Sequence, residues 1–144
     1  MSTEALYKEQ LLDHARKPRN RGDLDDADLR CRGSNPRCGD EVELGLYLNT
    51  GALEQLRFRG RGCSICMASA SLLTEVATGS LQDAAALCVA MHDWFAVAEP
   101  KAAPPRPELA PLGPVRKHPA RHRCVLLSWD ALGQTLADMD QPTV

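Results

Sequence analysis

Long apolar runs are missing from this chain. No stretch approaches the roughly 20 consecutive apolar residues of a membrane span, so no membrane partner is expected. Aromatic residues are scarce, at 4% of 144 residues, so aliphatic side chains must carry the core. There is no basic block, and the net charge is −2. That argues against nucleic acid or an anionic membrane as the main partner. The first residues, Met1-Ser2-Thr3-Glu4, lack the basic and apolar regions of a secretory signal, and a cytoplasmic location is expected. No internal repeat is evident. The 44% hydrophobic and 25% charged residues fit a single domain over residues 1–144 with a sizeable core.

What stands out against this background is sulfur. Six cysteines in a chain of this kind point to metal or sulfur chemistry more than to disulfides. Some can equally be small buried hydrophobes. Three of them stand where an ordered element begins: Cys38 in Asn35-Pro36-Arg37-Cys38-Gly39-Asp40, Cys63 in Gly62-Cys63-Ser64, and Cys124 after Arg121-His122-Arg123.

The order of elements explains why these loops should meet. Residues 4–16 carry Leu6, Tyr7, Leu11, His14 and Ala15 at helical spacing, and Pro18 ends that helix. Arg19–Asp28 is polar and reads as a surface excursion; Cys31 lies in a candidate edge strand. After the Pro36–Asp40 turn, Val42, Leu44, Leu46 and Leu48 alternate with polar residues, as in a half-buried strand. Asn49-Thr50-Gly51 is a turn, and Leu53–Arg59 returns with Leu56 and Phe58 inward. An antiparallel hairpin brings its entrance, Cys38 and Asp40, beside its exit, Cys63. Gly60-Arg61-Gly62 reads as a flexible approach and Ser64 as the N-cap of a helix carrying Ile65, Ala68, Leu72, Leu73 and Val76. Gly79 ends it, and Ser80-Leu81-Gln82-Asp83 opens a further helix through Phe95, with Cys88 in the core. Seven of the ten prolines fall in residues 98–119, which reads as a semi-rigid, partly extended loop. Val125, Trp129, Leu132 and Leu136 mark a final amphipathic helix with Cys124 at its start.

Zinc takes four ligands from Cys sulfur, His nitrogen and carboxylate oxygen. Cys38, Asp40, Cys63 and Cys124 would supply three sulfurs and one oxygen. Spacing alone leaves this set and a scatter of buried thiols about equally open. Cys63-x-x-Cys66 lacks the second close pair of a zinc ribbon and the parallel βαβ setting of a redox motif, so Cys66 reads as a small buried residue. His118 and His122 approach Cys124 but read as solvated loop residues. The expected fold is α+β: a small three-stranded antiparallel sheet covered on one face by helices, with a metal site at one exposed end.

Four stretches resemble the IscU/SufU/NifU-N-like iron–sulfur cluster assembly family. They are Leu6 to Gly22, Asn35-Pro36-Arg37-Cys38-Gly39-Asp40, Phe58-Arg59-Gly60-Arg61-Gly62-Cys63-Ser64-Ile65, and Met67 to Thr74. The 61 positions between Cys63 and Cys124 and the arginine at position 123 resemble the SufU branch. IscU-type members have a shorter connection and a histidine before the last cysteine. Cys66, where the family usually has no thiol, and the Pro-rich insertion are departures. The resemblance implies a SufE/NifU-like fold and a zinc-dependent, sulfurtransferase-like sulfur carrier. Cys38 would accept persulfide sulfur from a SufS-type, PLP-containing cysteine desulfurase and pass it to the SufBCD machinery. Cys38, Asp40, Cys63 and Cys124 would hold the zinc, and a desulfurase histidine would replace Cys38 when it leaves. Arg121 and Arg123 would offset the site's negative charge, with Arg121 free to pair with the ligand carboxylate. Two rivals remain: a scaffold assembling a transient [2Fe–2S] cluster on the same residues, and a zinc-stapled interaction module without sulfur chemistry.

Overall fold

A computed structural model describes residues 2–139. Helix α1 spans Thr3–Arg16 and is capped by Ser2, whose side chain accepts from the Ala5 N–H. Strands β1 (Leu29–Asn35), β2 (Asp40–Asn49) and β3 (Ala52–Arg61) form an antiparallel meander. Helix α2 (Ser64–Val76) follows, then β4 (Gly79–Ser80), α3 (Leu81–Ala96) and α4 (His122–Met139). The sheet order is β1-β2-β3-β4. The sheet therefore has four strands where the sequence suggested three. The fourth is two residues long, pairing Gly79 with Leu53 and Ser80 with Ala52, too short to leave an alternating pattern. Gly79 lies in this strand rather than at the helix end, which is capped by Ala77.

The inward faces of β2 and β3 are apolar, with Val42, Leu44, Leu46, Leu53, Leu56 and Phe58 all fully buried. Leu53 and Leu56 both point inward although three residues apart. A register shift at Tyr47/Leu48 places one extra β3 residue opposite that point and restores the alternation. Buried residues on α2 and α4 cover this face in one hydrophobic cluster. The opposite face has its own small cover. Gly45 is buried against Leu24 and Ala27, so the Arg19–Asp28 segment is anchored by a fully buried leucine rather than being a bare surface excursion.

The Pro-rich segment departs most from expectation. Pro107–Lys117 is a 3-10 helix, not an extended loop. Three residues per turn stack positions i, i+3 and i+6 on one face, and Leu109, Leu112 and Val115 are buried together at that spacing. Arg116 holds the segment in place. Its guanidinium donates to the Trp94, Val97 and Glu99 carbonyls at 2.8, 2.7 and 2.9 Å and lies over the Trp94 ring. Among the described residues, no helix is long and apolar enough to cross a membrane.

Candidate metal centre

The centre lies where three loops converge at one end of the sheet. The first joins β1 to β2. The Asn35 carbonyl accepts from the Cys38 and Gly39 N–H groups at 3.3 and 2.9 Å, and the Asn35 side chain accepts from the Arg37 N–H at 3.2 Å. Gly39 has φ of 73°, a left-handed conformation that glycine adopts without a Cβ penalty. The tight turn leaves Cys38 exposed and turns Asp40, 2% exposed, inward.

Asp40 is the hub. One carboxylate oxygen accepts from the Cys63 N–H at 3.0 Å. The other lies 3.0 Å from Cys38 Sγ and 3.9 Å from Cys63 Sγ. The close approach needs Gly62, because a Cβ there would stand 2.6 Å from Asp40 Oδ1. Gly60 is also constrained rather than flexible. It sits inside β3, where a Cβ would meet the Glu41 carbonyl oxygen at 2.1 Å.

Cys63, not Ser64, is the N-cap of α2, and its sulfur accepts from the Cys66 N–H at 3.4 Å. The third thiol, Cys124, is in the first turn of α4 and 4% exposed. A buried hydrogen-bond pair sets its distance from α2. Ser69 Oγ donates to the Val125 carbonyl at 2.7 Å and accepts from Trp129 Nε1 at 3.0 Å. The small serine in α2 thereby fixes the residue next to Cys124.

Ligand atoms of Cys38, Asp40 and Cys124 lie within 4.8 Å of one another, close enough to hold one ion. Cys63 flanks this trio, its Sγ 3.9 Å from Asp40 Oδ2. All four sequence candidates are therefore neighbours. Burial, then the neighbouring Cys63 thiol and the Asp40 carboxylate, push the Cys124 thiol up to about 12. Crowded buried groups of one sign need a cation if they are to ionise together. Three soft sulfurs and one carboxylate suit zinc or an iron–sulfur cluster rather than magnesium or calcium. The residues present fit such a group.

Arg121 is placed away from the ligand carboxylate. Asp40 makes its hydrogen bonds to Cys38 and Cys63, while Arg121 lines a groove with Glu4, Lys8 and Ile65. His122 is no solvated loop residue. Its Nε2 bonds the Arg116 carbonyl at 2.9 Å and its ring stands edge-on to Phe95. Cys31 and Cys88 lie away from the trio, and burial raises both thiols.

The chain matches the family model for the NifU-like N terminal domain over residues 6–141. It is 35% identical to the zinc-dependent sulfurtransferase SufU of Bacillus subtilis (strain 168), over 93% of this chain and 91% of that protein. It is 30% identical to the iron–sulfur cluster assembly scaffold protein IscU of Thermotoga maritima, over 99% of this chain and all of that protein. A crystal structure of a candidate iron–sulfur cluster assembly scaffold for the SUF system of Fervidobacterium islandicum AW-1 superposes with a TM-score of 0.80. It shares 26% identity and covers 94% of this chain and 99% of that one.

Proposed function

The chain belongs to the NifU-like N-terminal domain family, and from that premise we propose that it is a zinc-dependent sulfur acceptor in iron–sulfur cluster assembly. It takes persulfide sulfur from a SufS-type cysteine desulfurase and delivers it to a SufBCD-type assembly complex. The observation that carries this reading is an asymmetry of exposure. Asp40 and Cys124 are buried, Cys63 is half-buried, and Cys38 alone of the four is open to solvent. A partner's sulfur therefore meets Cys38 first.

Cys38, Asp40, Cys63 and Cys124 would hold the zinc, whose charge keeps thiols deprotonated at neutral pH. The Cys38 thiolate attacks the terminal sulfur of the desulfurase persulfide. A bond forms between Cys38 Sγ and that sulfur, and the donor S–S bond breaks. The donor cysteine leaves as a thiolate, and no net electron is gained or lost. Asp40 and Cys63 remain tied to each other through the Cys63 N–H during this exchange.

The test is cysteine turnover by the organism's own desulfurase with the zinc-loaded protein, together with transfer of radiolabelled sulfur. Strong stimulation that is lost in Cys38→Ala, with the fold retained, supports the acceptor role. Label transferred to the Cys38→Ala protein overturns it. The second reading, a scaffold for a transient [2Fe–2S] cluster, draws on the IscU relative matched over the full length. It predicts a reconstituted cluster that moves intact to an apo-ferredoxin.

A further inference from the structure

Ser128 carries a hydroxyl with nothing to bond. It lies on α4, 1% exposed, and its Oγ has no hydrogen-bond partner among the described residues. Buried hydroxyls are nearly always paired, because an unpaired one forfeits its bond to water. A serine inside a helix can bond the carbonyl four residues back. Here that is the Cys124 carbonyl, and Ser128 makes no such bond. Cys124 is itself 4% exposed and stands in the first turn of the same helix. Residues four apart share one helix face, and each Cα–Cβ bond tilts toward the helix N-terminus. Ser128 therefore lies one turn below Cys124 and leans toward it. Its neighbours fit this placement. Leu127 meets β1 at Gly33 and Trp129 meets α2 at Ser69, which leaves Ser128 between them in the interior.

The other two sulfurs of the centre differ in what they face. Cys63 Sγ accepts from the Cys66 N–H at 3.4 Å. Cys38 Sγ lies against acceptors instead, the Asp40 carboxylate at 3.0 Å and the Asn35 carbonyl at 3.9 Å. A hydrogen bond donated to a metal-bound sulfur withdraws electron density from it. That tunes the metal site and makes the sulfur a poorer nucleophile. We infer that Ser128 is a positioning residue, which donates its hydroxyl proton to Cys124 Sγ when Cys124 binds the metal. Cys63 and Cys124 then each accept a bond from the chain and stay on the ion as anchors. Cys38, set against acceptors, is left as the reactive sulfur. This inference rests on the proposed metal-bound acceptor and adds a reason why one sulfur of the three reacts.

The test loads the full-length protein with Co2+ in place of zinc and reads the thiolate-to-cobalt charge-transfer absorption. Its intensity follows the number of Co–S bonds, and its energy follows the electron density on sulfur. Wild type, Ser128→Ala and Ser128→Thr are compared, and circular dichroism checks each fold. The expected result is equal intensity in all three. In Ser128→Ala the band moves to longer wavelength and the metal is held about 10-fold more weakly. Ser128→Thr, which keeps the hydroxyl, restores the wild-type band. A band unmoved in Ser128→Ala overturns the inference and leaves the metal site standing. The hydroxyl then serves the fold alone, through the Cys124 carbonyl or a buried water. A band that moves in Ser128→Ala and stays moved in Ser128→Thr assigns the shift to packing and also overturns it. A wild type without cobalt–thiolate absorption removes the metal-bound reading and the inference together. Should Ser128→Thr misfold, Ser128→Gly replaces it. That variant also lacks the hydroxyl and must share the Ser128→Ala band; a different position overturns the inference.

Discussion

Asp40 has two positioning partners that the chemistry of zinc does not demand: the Cys63 N–H and the absent side chain of Gly62. A methyl group at Gly62 cannot coexist with the present carboxylate position, so Gly62→Ala should push Asp40 off its place. The expected outcome is a loss of metal affinity of about 10- to 100-fold, the usual cost of disturbing a group that orients a ligand. Competition with a chromophoric chelator measures it. A second residue-scale prediction concerns Cys88, which lies outside the candidate metal group. Burial, then the charge of Asp130, raises its thiol from 9.0 to about 12. The folded state therefore favours the neutral thiol. That stability is fully present below pH 9 and is lost as pH rises toward 12. Its slope is about 1.4 kcal/mol per pH unit for one such group. Urea unfolding between pH 8 and 11 should show the decline, and Cys88→Ala should be less steep.

At the scale of elements, Cys63 caps α2 and Cys124 lies in the first turn of α4, and Ser69 joins the two helices through Val125 and Trp129. Ser69→Ala strands the buried Trp129 indole N–H and removes the second bond to the helical Val125 carbonyl. The expected destabilisation is about 1–3 kcal/mol, read from the denaturant midpoint. Metal affinity should fall with it, because Cys124 is next to Val125. A drop in stability with unchanged metal affinity would show that Cys124 is positioned by its own helix instead. Helix α1 is tied to α2 by a similar device. Ser71 Oγ bonds His14 Nδ1 and accepts from the Arg19 N–H, both at 2.8 Å. The run Ala68-Ser69-Ala70-Ser71 therefore supplies fixed hydrogen bonds as well as close packing.

At the scale of the whole molecule, the Pro-rich segment is part of the core. Leu112 is fully buried among residues of the main cluster. Leu112→Ala should cost about 2–5 kcal/mol, as large as a substitution in the sheet. A solvated loop would tolerate the same change within about 0.5 kcal/mol. Thermal or urea denaturation decides between them.

The strands β2 and β3, the four helices and the four candidate ligands were legible in the chain because each has a local signal. Leu44 and Leu46 alternate with polar neighbours, Pro18 and Ser80 punctuate helices, and a hairpin necessarily joins its own two ends. Four features lacked such a signal. Strand β4 is too short for any period. Leu24 is a single apolar residue in a polar stretch, and only its distant neighbour Gly45 explains it. The 3-10 helix was hidden because prolines suggest disorder, although Leu109, Leu112 and Val115 already have its three-residue period. The role of Gly62 depends on its contact with Asp40. By itself, then, the sequence determined which residues are able to ligate and which faces are apolar, since both follow from residue type and from spacing within one element. Only the tertiary structure decided that Cys38 is open while Asp40 and Cys124 are closed. Exposure and proximity depend on how separate elements pack, and no local period encodes that.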